Sequence, residues 1–230
     1  MKLTYLGHSA LYIETQNHRL IIDPFIEGNP LCPVHCQDLE VDFVVLTHAH
    51  GDHFGNTLDF AHRGATVIGA YEIGLYAGEH GATQVHGMNP GGGFDFPFGR
   101  LEYTLAFHSS SFADGRYGGL AMGVLLHIDG HTIYHAGDTA LFGDMQHIGR
   151  KNLDFAFLPI GDNFTMGPRD ALEALELLKP KQVIPIHYNT FPIIKQDAHK
   201  FVGDAEALGY SGRVLNPGDN IETKTQYAGT

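Results

Sequence analysis

Thr47-His48-Ala49-His50-Gly51-Asp52-His53 follows directly on Val41-Asp42-Phe43-Val44-Val45-Leu46. The apolar run is short and rich in β-branched residues, which predicts a strand. Three imidazoles and a carboxylate then fall within residues 48–53, at the carboxyl end of that strand. Neutral imidazole and carboxylate together suit Zn²⁺ and its divalent neighbours. Ligand sites in sheet proteins gather at strand ends, so this segment predicts a metal-binding edge.

Three further strand ends carry donors of the same kind. Phe107-His108-Ser109-Ser110-Ser111 ends a strand expected over 101–107. Tyr134-His135-Ala136-Gly137-Asp138-Thr139 ends another expected over 131–135, and Ile186-His187-Tyr188-Asn189 ends one over 182–186. His48, His50, Asp52, His53, His108, Asp138 and His187 together exceed what one tetrahedral ion needs. They fit two divalent ions that share a bridging carboxylate. Ser109, Ser110 and Ser111 lack the G-x-S-x-G setting of a serine nucleophile. Pro90-Gly91-Gly92-Gly93 is a turn without the lysine of a phosphate loop.

Around these points the chain alternates in type. Strands are expected over 2–6, 10–14 and 19–22, the last ending at Asp23-Pro24, then an irregular loop over 27–40. Strand 41–46, a helix over 54–63, strand 65–69 and a helix over 71–79 follow. Strands 94–98, 101–107, 120–128 and 131–135 lead to a helix over 140–149 and strand 153–160. Gly167-Pro168 opens a helix that turns Ala171, Leu172, Leu175, Leu177 and Leu178 inward and Asp170, Glu173 and Glu176 to water. Strand 182–186, a helix over 196–208 and a strand over 213–215 complete the pattern. A strand-rich first part and an alternating second part predict an α+β fold of mixed sheets covered by helices. We expect one domain, 1–230.

Composition narrows the function. Formal net charge is −12, from 14 basic and 26 acidic residues. Nucleic acid would be repelled on average, so a small-molecule substrate is the expected partner, with self-association left open. The start of the chain alternates and has no apolar leader, and no stretch is long enough to span a membrane, so a cytoplasmic protein is expected. Cys32 and Cys36 flank Pro33-Val34-His35 and read as reduced loop thiols. Of the 16 histidines, His18, His62, His80, His86, His127, His131, His147 and His199 are assigned to surface or packing.

The chain resembles the metallo-β-lactamase superfamily. The H-x-H-x-D-H motif is intact at His48, His50, Asp52 and His53, and the later donors follow in order. It is more similar still to the UPF0173 family of metal-dependent hydrolases, related to the lactonase that opens L-ascorbate 6-phosphate. Tyr5-Leu6-Gly7-His8-Ser9, Ala136-Gly137-Asp138-Thr139 and Gly161-Asp162-Asn163-Phe164-Thr165-Met166-Gly167 carry that likeness. The resemblance implies a four-layer αββα sandwich with two metals at one edge. It implies His48, His50 and His108 on one ion, Asp52, His53 and His187 on the other, and Asp138 between them. Asp23 matches an acid that orients a ligand imidazole by accepting its other N–H. His8 and His135 each have two readings, as a contact to a ligand or substrate or as a satisfied buried histidine. Asp162, Asn163 and Tyr188 are expected near the substrate.

The expected chemistry is hydrolysis of an ester, lactone or phosphoester by water activated between two ions, with Asp52 and Asp138 at the reacting centre. Zinc suits the histidine-rich set, and manganese, nickel or iron can take a mixed His/Asp set. A phosphodiesterase or nuclease on the same scaffold is the alternative. A di-iron redox protein is disfavoured because His50 stands where that group typically carries glutamate. A non-catalytic metal-binding protein is the remaining rival.

Overall fold

The computed structural model describes residues 1–224. In chain order the first half runs β1 (Lys2–Tyr5), β2 (Leu11–Glu14), β3 (Arg19–Ile22), β4 (Phe43–Val45), α1 (Gly51–Phe54), α2 (Thr57–His62), β5 (Thr66–Ala70), α3 (Tyr71–Glu79) and β6 (Val85–Met88). The second half runs β7 (Gly93–Phe96), β8 (Gly99–Leu105), β9 (Met122–Ile128), β10 (His131–His135), α4 (Met145–Gly149), β11 (Phe155–Pro159), α5 (Pro168–Leu178), β12 (Gln182–Ile186), α6 (Ala198–Ala207), β13 (Ser211–Gly212) and β14 (Asn220–Glu222).

Two seven-stranded sheets result, in the orders β14-β1-β2-β3-β4-β5-β6 and β13-β12-β11-β10-β9-β8-β7. Each is antiparallel on one side and parallel on the other. The change comes between β3 and β4 in the first sheet and between β10 and β11 in the second. Parallel strands are covered on both faces and read as unbroken apolar runs. Val44, Val45, Ala156, Phe157 and Leu158 are accordingly inaccessible.

The sheets face each other over Leu3, Ile13, Leu20, Ile68, Tyr103, Val124, Leu126 and Phe157. Outside the first sheet lie α2 and α3, and outside the second lie α4, α5 and α6. This is the αββα sandwich of two mixed sheets that the sequence led us to expect. α5 follows its amphipathic pattern, with Pro168 in its first turn and Lys179 in the left-handed conformation at its end. Ala171, Ala174, Leu175 and Leu178 are its buried face, while Leu172 and Leu177 are only half-buried.

Several boundaries differ from the expectation. The helix over 54–63 is two pieces, α1 and α2, parted at Gly55, whose φ is +39°. Asp52 and His53 therefore sit in a helical turn. The helix over 140–149 shrinks to α4. β6 and β14 were not expected, and the last parallel strand is β13 at 211–212 in place of 213–215. Each of these strands is an edge or has a weak local pattern, and pairing to β5, β1 or β12 defines it.

Candidate metal centre

The predicted donors converge on one end of the sandwich, from the ends of strands in both sheets. Asp23 follows β3, and Thr47 to His53 follow β4. Asp138 follows β10, His187 follows β12, and His8 and His108 come from the segments after β1 and β8. Three of these positions, His8, Asp23 and His187, have left-handed backbone, with φ of +56°, +48° and +54°. Such conformations cost a non-glycine residue roughly 1–2 kcal/mol each and cluster where a side chain must be aimed. Gly137 meets the same demand differently. Its φ is +60°, and an added Cβ would lie 2.8 Å from the Cβ of Thr47.

The donor atoms fall into groups whose members lie within 4.8 Å of one another: His48, His50 and His108; His8, Asp52, His53 and His187; and His48, His53 and Asp138. His50 Nδ1 is 3.0 Å from His48 Nε2 and 3.3 Å from His108 Nε2. Nitrogens bonded at ~2.0–2.1 Å to one tetrahedral ion would stand about 3.3 Å apart, so the spacing matches a shared ion. Asp138 spans the groups. Its Oδ1 is 3.3 Å from His53 Nε2, and its Oδ2 is 3.1 Å from His187 Nε2 and 3.5 Å from His108 Nε2.

The polar atoms at the centre are close but unpaired. His53 Nε2, Asp138 Oδ1 and both ring nitrogens of His187 are buried without a hydrogen-bond partner. Each such atom costs on the order of 1–3 kcal/mol. His53 Nε2, Asp138 Oδ1 and His187 Nε2 lie close together with no other partner, which a cation would supply, so the residues present fit divalent ions.

Behind the centre, a polar layer fixes the rings. Asp23 is fully buried. It accepts from Thr47 N at 2.8 Å, Thr47 Oγ1 at 2.7 Å and His53 Nδ1 at 2.7 Å. The Thr47 hydroxyl gives its proton to Asp23, so its oxygen is free to accept from His48 Nδ1 at 3.0 Å. Both imidazoles thereby present Nε2 to the centre. Ser109 Oγ lies 3.4 Å from His50 Nε2, which turns Nδ1 of that ring inward.

His8 belongs to the cluster. Its Nε2 is 3.2 Å from Asp52 Oδ2, and its Nδ1 is 2.9 Å from Thr190 Oγ1. Burial, reinforced by the neighbouring His187, pushes its pKa down to about 4. The ring is therefore neutral and donates to Asp52 while accepting from Thr190. Burial would raise the Asp52 carboxyl, but the His8 hydrogen bond and the charge of His53 hold it well below the carboxylate range. His48, His50 and His108 are lowered, chiefly by burial. Burial also opposes charge on His53, yet the carboxylates of Asp138 and Asp23 outweigh it and raise that imidazole well above its usual range.

The other predicted residues divide. His135 is buried and satisfied, accepting from Gly137 N at 3.2 Å and donating to Ser9 O at 2.9 Å. It braces the turn that carries Asp138. Asp162 and Asn163 are exposed at left-handed φ of +61° and +49°, and the Asp162 carboxylate caps its own turn by accepting from Asn163 N. Tyr188 is half-buried against the helical side of the second sheet, where burial pushes its phenol up to about 12. None of these four lines the cavity over the donors, whereas Phe164, Phe191 and Ile193 do. Thr47, Thr190 and these apolar residues were not singled out from the sequence. Only their contacts give them roles. Cys32 and Cys36 are free thiols, and among the described residues no metal-binding group forms around them.

The model of the β-lactamase superfamily domain matches residues 18–188. A UPF0173 metal-dependent hydrolase of Thermus thermophilus is 51% identical over 219 residues, covering 95% of this chain and 97% of the relative. One from Anoxybacillus flavithermus is 51% identical over 228 residues, covering 96% of this chain and 100% of the relative. Among solved structures, Igni18, a metallo hydrolase from the hyperthermophilic archaeon Ignicoccus hospitalis, superposes with a TM-score of 0.87 at 39% identity, over 97% of this chain and 99% of that one. No helix among the described residues is long and apolar enough to cross a membrane.

Proposed function

The chain belongs to the UPF0173 family of metal-dependent hydrolases within the β-lactamase superfamily, and from that premise we propose that it cleaves an ester, lactone or phosphoester bond of a small molecule with two divalent cations. The observation that supports this reading best is the set of buried donor atoms without hydrogen-bond partners on His53, Asp138 and His187, at the floor of a cavity that Asp138 and His187 line. The cavity is about 520 Å³, within the range that holds small ligands.

His48, His50 and His108 would hold one cation, Asp52, His53 and His187 the other, with Asp138 between them. Zinc suits the donor set, and manganese, nickel and iron are its competitors. Cations bound there lower the pKa of water from 15.7 towards ~7 and polarise a substrate oxygen. The chain's own residues do the rest. Asp23 holds His53 in the tautomer that presents Nε2, and Thr47 does the same for His48. His8 orients Asp52 through one carboxylate oxygen. In the metal-free protein a proton on His53 answers the two carboxylates beside it, and ligation requires that proton to leave.

Asp138→Ala tests the reading. It should lose at least one equivalent of metal by elemental analysis and lose turnover in a hydrolase screen run with the metal the protein retains on purification. Full metal content with full activity would overturn the assignment.

A further inference from the structure

The cavity over the donors has a second character. Five of the donors share its lining with Phe164, Phe191 and Ile193, and among the described residues no lysine or arginine lines it. Phe164 is 52% exposed and Ile193 60% exposed. They come from different loops, one after β11 and one after β12, yet meet at one mouth. Phe191 is anchored, packing edge-on against His8 with ring centroids 5.6 Å apart. Phe164 and Ile193 remain uncovered beside it.

Charge points the same way. Phosphate and carboxylate groups are typically held by arginine forks or lysine ammonium groups. Here the charged side chains facing the ligand space are the carboxylates of Asp52 and Asp138, both assigned above to the cations, and among the described residues no cationic side chain is left to hold an anionic group on a substrate. Uncovered apolar side chains beside a reactive centre favour an uncharged arm that removes them from water.

We propose that the substrate presents a neutral alkyl or aryl arm to Phe164, Phe191 and Ile193 while its ester or lactone carbonyl faces the donor cluster. Phosphorylated substrates are then poor ones. In this reaction the acyl C–O bond breaks, water supplies hydroxyl to the acyl carbon, and its remaining proton goes to the leaving alcohol. The proposal rests on the hydrolase reading above and narrows it to carboxylic esters or lactones.

Two measurements on the metal-loaded protein test it. The first compares p-nitrophenyl acetate, butyrate and hexanoate with p-nitrophenyl phosphate. We expect kcat/KM to rise roughly twofold to fourfold per added methylene, with the phosphate at least tenfold below the hexanoate. Phe164→Ala and Ile193→Ala should flatten the series without changing metal content. The second is independent of turnover: affinity for acetohydroxamate and octanohydroxamate by calorimetry, expected to differ by at least tenfold in favour of the longer chain. Absence of any turnover would defeat the hydrolase reading, and the hydroxamate pair would still decide the arm. Equal hydroxamate affinities, or preference for the phosphate, would overturn the proposal. So would an oligomer that Ile193→Glu converts to monomer, since the rim would then belong to a contact between copies.

Discussion

The loops after β4 and β11 occupy equivalent places in the two sheets, each following the first strand added in parallel beyond an antiparallel set. Both reach the same cavity, but they do opposite work there. The first turns inward. Thr47, His48 and His53 are wholly buried, and their polar atoms are tied to Asp23 or aimed at the shared centre. The second turns outward. Its Asp162 satisfies its own backbone, and Phe164 is left for the ligand space. The comparison teaches that topology decides where a loop arrives, while side chains decide what it contributes. On the proposed reading, one loop supplies reactivity and the other supplies shape. Gly161 makes the second arrangement fit, because a Cβ there would run into the carbonyl oxygen of His187.

The contrast can be broken by mutation. Asp138→Ala should have the largest effect, a fall in kcat/KM of about 10³-fold or more, since the stabilisation it supports is worth several kcal/mol. Asp23→Ala comes next. Asp23 sits behind the rings, so we expect a loss of roughly 10–100-fold in metal affinity, read by competition with a fluorescent chelator. Chelation of the unmodified protein should lower its melting temperature. At 1,000 times Kd a bound ion contributes about 4 kcal/mol, which for a chain of this size shifts Tm by ~8–16 °C. Asp162→Ala should have the smallest effect. It removes one local hydrogen bond, about 1 kcal/mol, and turnover should stay within about threefold because the side chain does not line the cavity. If Asp162→Ala weakened metal binding as much as Asp23→Ala, the division between the two loops would fail.

Much of the centre was legible because its signals are local. His48, His50, Asp52 and His53 are adjacent in sequence, and Asp138 and His187 end strands with unmistakable apolar runs. The rest depends on approach between distant segments. Thr190 reads as an ordinary loop residue until the 182-residue separation from His8 closes to 2.9 Å. His135 and His8 look alike in sequence, since each is a lone histidine near a glycine. Their partners separate them, two backbone groups for His135 and the Asp52 carboxylate for His8. In the Gly161–Gly167 segment the polar residues draw attention as ligands, yet the left-handed turn at Asp162 and Asn163 faces solvent and Phe164 lines the cavity. Strand edges failed for a related reason. Val85–Met88 has no clean alternation and becomes a strand only because β5 offers it a partner.

The pairing of β14 with β1 has a consequence in time. Translation proceeds at roughly 5–20 residues per second, so His108 emerges several seconds before His187. The three-histidine group of His48, His50 and His108 is thus synthesised whole while the group containing His8, Asp52, His53 and His187 still lacks its last member. Leu3, five residues before His8, gains its neighbour Ile221 later still. The two halves of the centre are born apart, and the strand that pairs with β1 beside the first donor is made after both.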